Sequence, residues 1–156
     1  MERTVYEAAG GDAGLLRLAT AWHHQCLQDP VVSYAFSHPG LHPQHTERLA
    51  AYWGEALGGP ASYTAALGDH SHVLRLHAGN GEHEDMDRRA RECFALAMDD
   101  ADLPDDPRLR RTLTDWFAWM TAAMAAYPRS PDDVPRGLPL PTWSWDGPVD
   151  VSRPGR

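Results

Sequence analysis

Cysteine is scarce in this chain: Cys26 and Cys93 stand far apart, and neither has a CxxC partner. That excludes a disulfide framework and a zinc knuckle, and suits two small buried thiols in a reducing cytoplasm. Basic charge is also short, with 14 Lys and Arg against 22 Asp and Glu and a net charge of −8. Such a surface repels a phosphate backbone or an anionic membrane, so nucleic-acid and membrane partners are not expected. No apolar run approaches the roughly 18 residues of a membrane span. The opening Met1-Glu2-Arg3-Thr4 does not read as a signal peptide. Alternating β-branched segments, a G-x-S-x-G elbow, a phosphate-binding loop, HExxH and ExxH are all missing. Histidine is missing from everything after His83, since all nine lie between His23 and His83.

What remains is helical almost throughout, in a 156-residue chain that suits one core. A short opening helix ends at Gly10-Gly11, and Asp12 is placed to cap the next. That second helix runs to about Leu27 with an apolar face of Leu15, Leu16, Ala19, Trp22, His23, Cys26 and Leu27. Asp29-Pro30 stops it. A short piece, Val31 to Phe36, and a turn at Pro39-Gly40 follow. Pro43 suits the first turn of a third helix carrying Leu49, Tyr52, Trp53, Ala56 and Leu57. Gly58-Gly59-Pro60 ends it, and a less regular stretch holds helical turns at Tyr63 to Leu67 and Asp69 to His77. Two longer helices, about Glu82 to Asp100 and Asp106 to Tyr127, close the core with Met86, Ala90, Phe94 and Met120 on their apolar faces. From Pro128 on, prolines recur in an extended tail, yet Trp143 and Trp145 predict that part of it docks on the body.

Helical phase separates the histidines. His23, His45 and His77 each fall on an apolar face, and His70 can share the face of His77. His24, His38, His42, His72 and His83 read as surface or turn residues, and His70 is grouped with them. A single histidine on an apolar face is more often a hydrogen-bonded core residue than a ligand. Three of them on stripes without Asp, Glu or Lys suit a large hydrophobic cofactor better than a hard metal ion. Two alternatives stay open. His70-Ser71-His72 and the His83/Asp87 spacing allow zinc or a non-heme di-iron centre. Otherwise, the chain is a helical interaction module with satisfied core histidines.

The order of motifs is that of a known family. Gly10-Gly11 is followed by Trp22-His23, Phe36, His45-Thr46-Glu47-Arg48-Leu49, Gly58-Gly59-Pro60 with Tyr63, and Leu74-Arg75-Leu76-His77. From about Thr4 to Tyr127 the chain resembles the truncated hemoglobins, and within them group II. The resemblance implies an all-α two-over-two helical sandwich at 1–127 with a Pro-rich extension at 128–156. It implies heme b, with His77 matching the proximal iron ligand. Phe36, Arg48, Leu49 and Tyr63 match heme contacts, Arg48 and Tyr63 at the propionates. Val73, Leu74, Met86 and Phe94 are positioned to enclose the porphyrin. His23 and His45 match distal positions, beside Trp22 and Ala90, and His45 can alternatively reach the iron as a sixth ligand. Two departures stand out. Most of the group has tyrosine in place of His23, and many members have tryptophan in place of Ala90, which predicts a wider pocket. The implied activity is binding of O2, CO, NO or peroxide. NO-dioxygenase or peroxidase-like turnover would require an external electron donor.

Overall fold

The computed structural model describes residues 2–37 and 41–149. The expected turn at Pro39-Gly40 and the assignment of His38 lie outside the described residues. Helix α1, Val5–Ala8, starts at a capping box in which Thr4 and Glu7 satisfy each other's backbone donors. Gly10, at φ +101°, then reverses the chain and serves as N-cap of α2, Gly11–Gln28. The expected cap, Asp12, sits inside the first turn and accepts a 2.5 Å hydrogen bond from the Tyr6 hydroxyl. Gly14 is required by packing, because a Cβ there would lie 1.9 Å from the Ala9 carbonyl oxygen.

The buried face of α2 is Leu15, Leu18, Ala19 and Cys26, with Trp22 and His23 half-buried beside it. Leu16 and Leu27, assigned to that face from the sequence, are 39% and 52% exposed. Leu18 takes their place, because positions i, i+3 and i+4 from Leu15 define the stripe and immediate neighbours diverge by about 100°. A 3-10 turn, Val32–Phe36, follows. Asp29 Oδ1 secures the bend before it by accepting from the Val31 and Val32 amides.

Helix α3 is His45–Ala56, so Pro43 precedes the helix and does not open it. Its inner face is Ala50, Tyr52, Trp53 and Ala56. Short helices α4, Ser62–Ala66, and α5, His70–His77, occupy the stretch that reads as irregular. The Asp69 carboxylate caps α5 at 2.7 Å from the His72 amide. Helices α6, Glu84–Asp100, and α7, Pro107–Met124, complete the bundle. Asp106 caps α7 and Pro107 fills its first position, where a missing N–H costs nothing.

Helix α2 packs on both α3 and α6, and α6 packs on α7, which is the two-over-two arrangement. Its centre is aromatic. Phe94 and Phe117 stack at 4.1 Å, and Trp53 and Trp116 meet them and each other edge-on at 5.7–6.2 Å. All four side chains are essentially fully buried. Offset and edge-on contacts of this kind add to the burial term.

Residues 128–149 are more ordered than an extended tail. They form a 3-10 turn, Pro131–Asp133, and a hairpin of β1, Trp143–Ser144, with β2, Gly147–Pro148. Trp143 is buried against Trp119 at 5.9 Å. The Trp145 indole donates to the Arg3 carbonyl at 2.7 Å, and the Arg108 guanidinium lies over its ring at 4.5 Å. No helix among the described residues is long and apolar enough to cross a membrane.

Candidate functional site

Three elements bring three histidines toward one space. His23 comes from the middle of α2, His45 from the first residue of α3, and His77 from the last residue of α5. Phe36, at the end of the 3-10 turn, joins them. Its ring stacks on His23 at 4.9 Å and meets His45 at 5.6 Å, and His23 and His45 are 5.2 Å apart. Trp22 backs the group, edge-on to Phe36, Trp53 and Phe117.

His77 has a defined chemical orientation. Its Nδ1 lies 2.8 Å from the Val73 carbonyl one turn back. A carbonyl oxygen only accepts, so Nδ1 carries the hydrogen and Nε2 presents its lone pair. The acceptor belongs to the helix itself. His77 is exposed at the end of α5, although neighbouring protein atoms strip part of its hydration. That desolvation lowers its pKa below the usual 6.5, against the opposing pull of the Val73 carbonyl. The pKa of His23 is lowered by burial. That of His45 is lowered mainly by burial and then by the facing charges of His23 and His77. All three are therefore held toward the neutral form that binds metals and small ligands.

His23 Nδ1 and His45 Nε2 are buried without a protein hydrogen-bond partner. Such atoms carry a desolvation penalty of roughly 1–3 kcal/mol each unless something else satisfies them. The Trp53 indole N–H is a third unpartnered buried donor close by, placed only in the core by the sequence pattern. An imidazole whose Nδ1 is engaged and whose Nε2 carries the lone pair, near several aromatic side chains, has chemistry that suits a flat apolar cofactor. Among the described residues, no three of His, Cys, Asp or Glu gather so that they could hold a metal ion. The zinc or di-iron alternative therefore finds no donor set.

The remaining expected residues divide into two groups. Leu74 is buried, and Val73, Met86 and Leu49 are half-buried against the core. Arg48 donates to the Leu67 carbonyl at 3.0 Å and lies beside Tyr63, whose phenol is buried and raised in pKa chiefly by that burial. Phe94 is committed to the aromatic core described above. Ala90 is 9% exposed, and its carbonyl accepts from the Trp22 indole at 3.0 Å.

Two histidines differ from their sequence-based assignment. His70 is only 6% exposed, with Nδ1 hydrogen-bonded to the Tyr52 hydroxyl at 2.9 Å. It stands seven residues before His77, hence on the same helical face. His83 is half-buried and donates to Asp87 at 2.9 Å, so it is not a freely solvated helix start. His24 and His42 are exposed, as expected, and bond locally to Gln28 and to the Gln44 amide.

The bacterial-like globin family matches residues 4–126. No curated protein sequence matches the chain. Among solved structures, the hemoglobin of the actinobacterium Thermobifida fusca is 28% identical, with a TM-score of 0.64, covering 81% of this chain and 100% of that one. The hemoglobin of the thermophilic phototrophic bacterium Chloroflexus aurantiacus is 24% identical, with a TM-score of 0.65 over 79% and 98%. The group II truncated hemoglobin of Bacillus anthracis is 21% identical, with a TM-score of 0.69 over 83% and 96%, a likeness of fold.

Proposed function

The chain belongs to the bacterial-like globin family, and from that premise we propose that His77 is the axial ligand of its heme and that His23 and His45 face the bound gas. Heme is the cofactor of this family, and small diatomic ligands such as O2 are what it binds. When bound, heme supplies an iron centre to which such a ligand adds reversibly. The observation that carries the reading is the His77 Nδ1–H donation to the Val73 carbonyl. It fixes the tautomer, raises the basicity of Nε2 and orients the ring.

Each side chain then has a physical task. Phe36, stacked on His23, excludes water from the ligand side and limits the tilt of that imidazole. A neutral imidazole can carry its proton on either nitrogen, so the unpaired His23 Nδ1 and His45 Nε2 can each present an N–H to a polar diatomic. Each such hydrogen bond slows ligand escape by on the order of five- to tenfold. Arg48, next to Tyr63 at the rim, is positioned to pair with a propionate. Leu49, Val73, Leu74 and Met86 supply the apolar wall. The gas set extends from O2 to CO and NO. With peroxide or NO as reactant, a neutral histidine can move a proton in peroxidase-type or NO-dioxygenase turnover, with electrons from an external donor. The motif order favours the group II branch.

His77→Gly tests the reading. The variant is expected to lose its Soret absorption and to regain it with added imidazole, which substitutes for the missing ring. Heme content equal to the parent's without imidazole would show that another residue holds the iron.

A further inference from the structure

Helix α5 has eight residues, and its last one is His77. A helix this short is not stable by itself, so its position is set by what grips it. One grip is internal to the bundle, through Leu74 and the Tyr52–His70 hydrogen bond. The other comes from residues 128–140, beyond the segment matched by the globin family.

Ser71 is the point of attachment. It is fully buried and lies about 120° around α5 from His77. Its hydroxyl donates to the Pro135 carbonyl at 2.7 Å and accepts from the Leu138 amide at 3.0 Å. Both hydrogen-bonding roles of one serine are thus taken by one short loop. The chain just after His77 is held as well. The Gly79 amide donates to the Tyr127 carbonyl at 3.0 Å and the Gly81 amide to the Pro128 carbonyl at 2.9 Å. A Cβ on Gly79 would come within 3.0 Å of Pro131, so the two strands of chain run in contact. Val134 and Leu140 bury their side chains on either side of the loop. A concavity of about 500 Å³ opens beside the contact, lined by Asp69, Arg75, Asp132 and Arg136 among others. The hold therefore combines the directional bonds of Ser71 with packing of the loop on α5.

We propose that residues 128–140 are a strap that sets the position of α5, with Ser71 as the positioning residue through which it acts on His77. The inference rests on the assignment of His77 as axial ligand. A shift of α5 would reposition the His77 imidazole, which would hold the iron when heme is bound. The strap adds a control on the proximal side that the globin core alone does not contain.

The test compares Ser71→Ala and Ser71→Cys with Trp145→Ala in the heme-loaded protein. Trp145 lies in the hairpin beyond the strap and anchors it on Arg3 and Arg108. Two readouts apply: the iron–histidine stretching band of the ferrous protein by resonance Raman, and hydrogen exchange of the α5 amides with and without heme. Both Ser71 variants are expected to shift the band and to speed α5 exchange, by about thirtyfold in Ser71→Ala, the effect of losing two buried hydrogen bonds, and by less in Ser71→Cys. Trp145→Ala is expected to lower the melting temperature and leave both readouts at the parent's values. An unmoved band and unmoved exchange in the Ser71 variants overturn the strap. Equal changes in Trp145→Ala overturn it too, since they indicate general loosening. A parent band that survives His77→Gly instead overturns the axial assignment, and the exchange measured without heme still decides the strap.

Discussion

The buried pair of Tyr52 and His70 makes stability depend on pH in a calculable way. His70 is 6% exposed and bonded to Tyr52, and burial is the main cause that lowers its pKa from 6.5, with Asp69 pulling weakly the other way. The unfolded chain binds a proton near pH 6.5, and the folded chain resists it. The contribution to stability is therefore complete above the unfolded value and is lost as pH falls, until the folded value is passed. If His70 stays neutral from pH 7.5 to 5.5, the unfolded chain gains by RT ln(11/1.1), so His70 removes at most about 1.4 kcal/mol of stability.

The double variant Tyr52→Phe with His70→Phe isolates this effect. Replacing both partners avoids leaving the Tyr52 hydroxyl buried and unpaired. The rings already lie near-parallel at 6.1 Å with 14° between planes, which two phenyl groups can keep. His23, His45 and His77 are also lowered in pKa, but they titrate in parent and variant alike and cancel in the difference. Urea unfolding of the heme-loaded protein at half-unit steps of pH gives the two curves. The gap between them is expected to shift by up to about 1.4 kcal/mol in the variant's favour on acidification. Heme loss at pH 5.5 is expected to slow in parallel, because the pair ties α5 to α3. Parallel stability curves over the whole range would refute the reasoning.

Two further perturbations probe the core and the ligand side. Phe117→Ala removes a ring that stacks on Phe94 at 4.1 Å and touches Trp22, Trp53 and Trp116, and should cost about 3–5 kcal/mol in urea unfolding; a loss under about 1.5 kcal/mol would mean that the site collapses around the cavity. His23→Phe and His45→Leu should each change the O2 dissociation rate by about five- to tenfold in stopped-flow mixing, and rates identical to the parent's for both would remove the distal roles assigned to them.

The helices and most of the core were legible before any coordinates, because helical phase is a local property. The stripes of α3, α6 and α7 follow directly from apolar residues at 3.6-residue spacing, and the Asp106-Pro107 start of α7 is a local capping signal. The position of His77 on a helix, one turn after Val73 and Leu74, was legible for the same reason, but its exposure at the end of α5 was not. The α2 stripe was legible except that Leu16 and Leu27 were included and Leu18 was missed, since Leu15-Leu16 and Cys26-Leu27 each offer two apolar neighbours and only the packing partner selects one.

What the tertiary structure alone decided are pairings between residues far apart in the chain. The Trp22 indole meets the Ala90 carbonyl across 68 positions, Ser71 meets Pro135 across 64, and Trp145 meets Arg3 across 142. His70 belongs with them, since nothing near it in sequence predicts that Tyr52 will bury it. Hydrogen bonds of this kind leave no periodic trace, because each depends on where two separately folded segments come to rest. The sequence by itself therefore determined the bundle and the histidine that suits an iron ligand, and the tertiary structure decided what surrounds that histidine and what holds its helix in place.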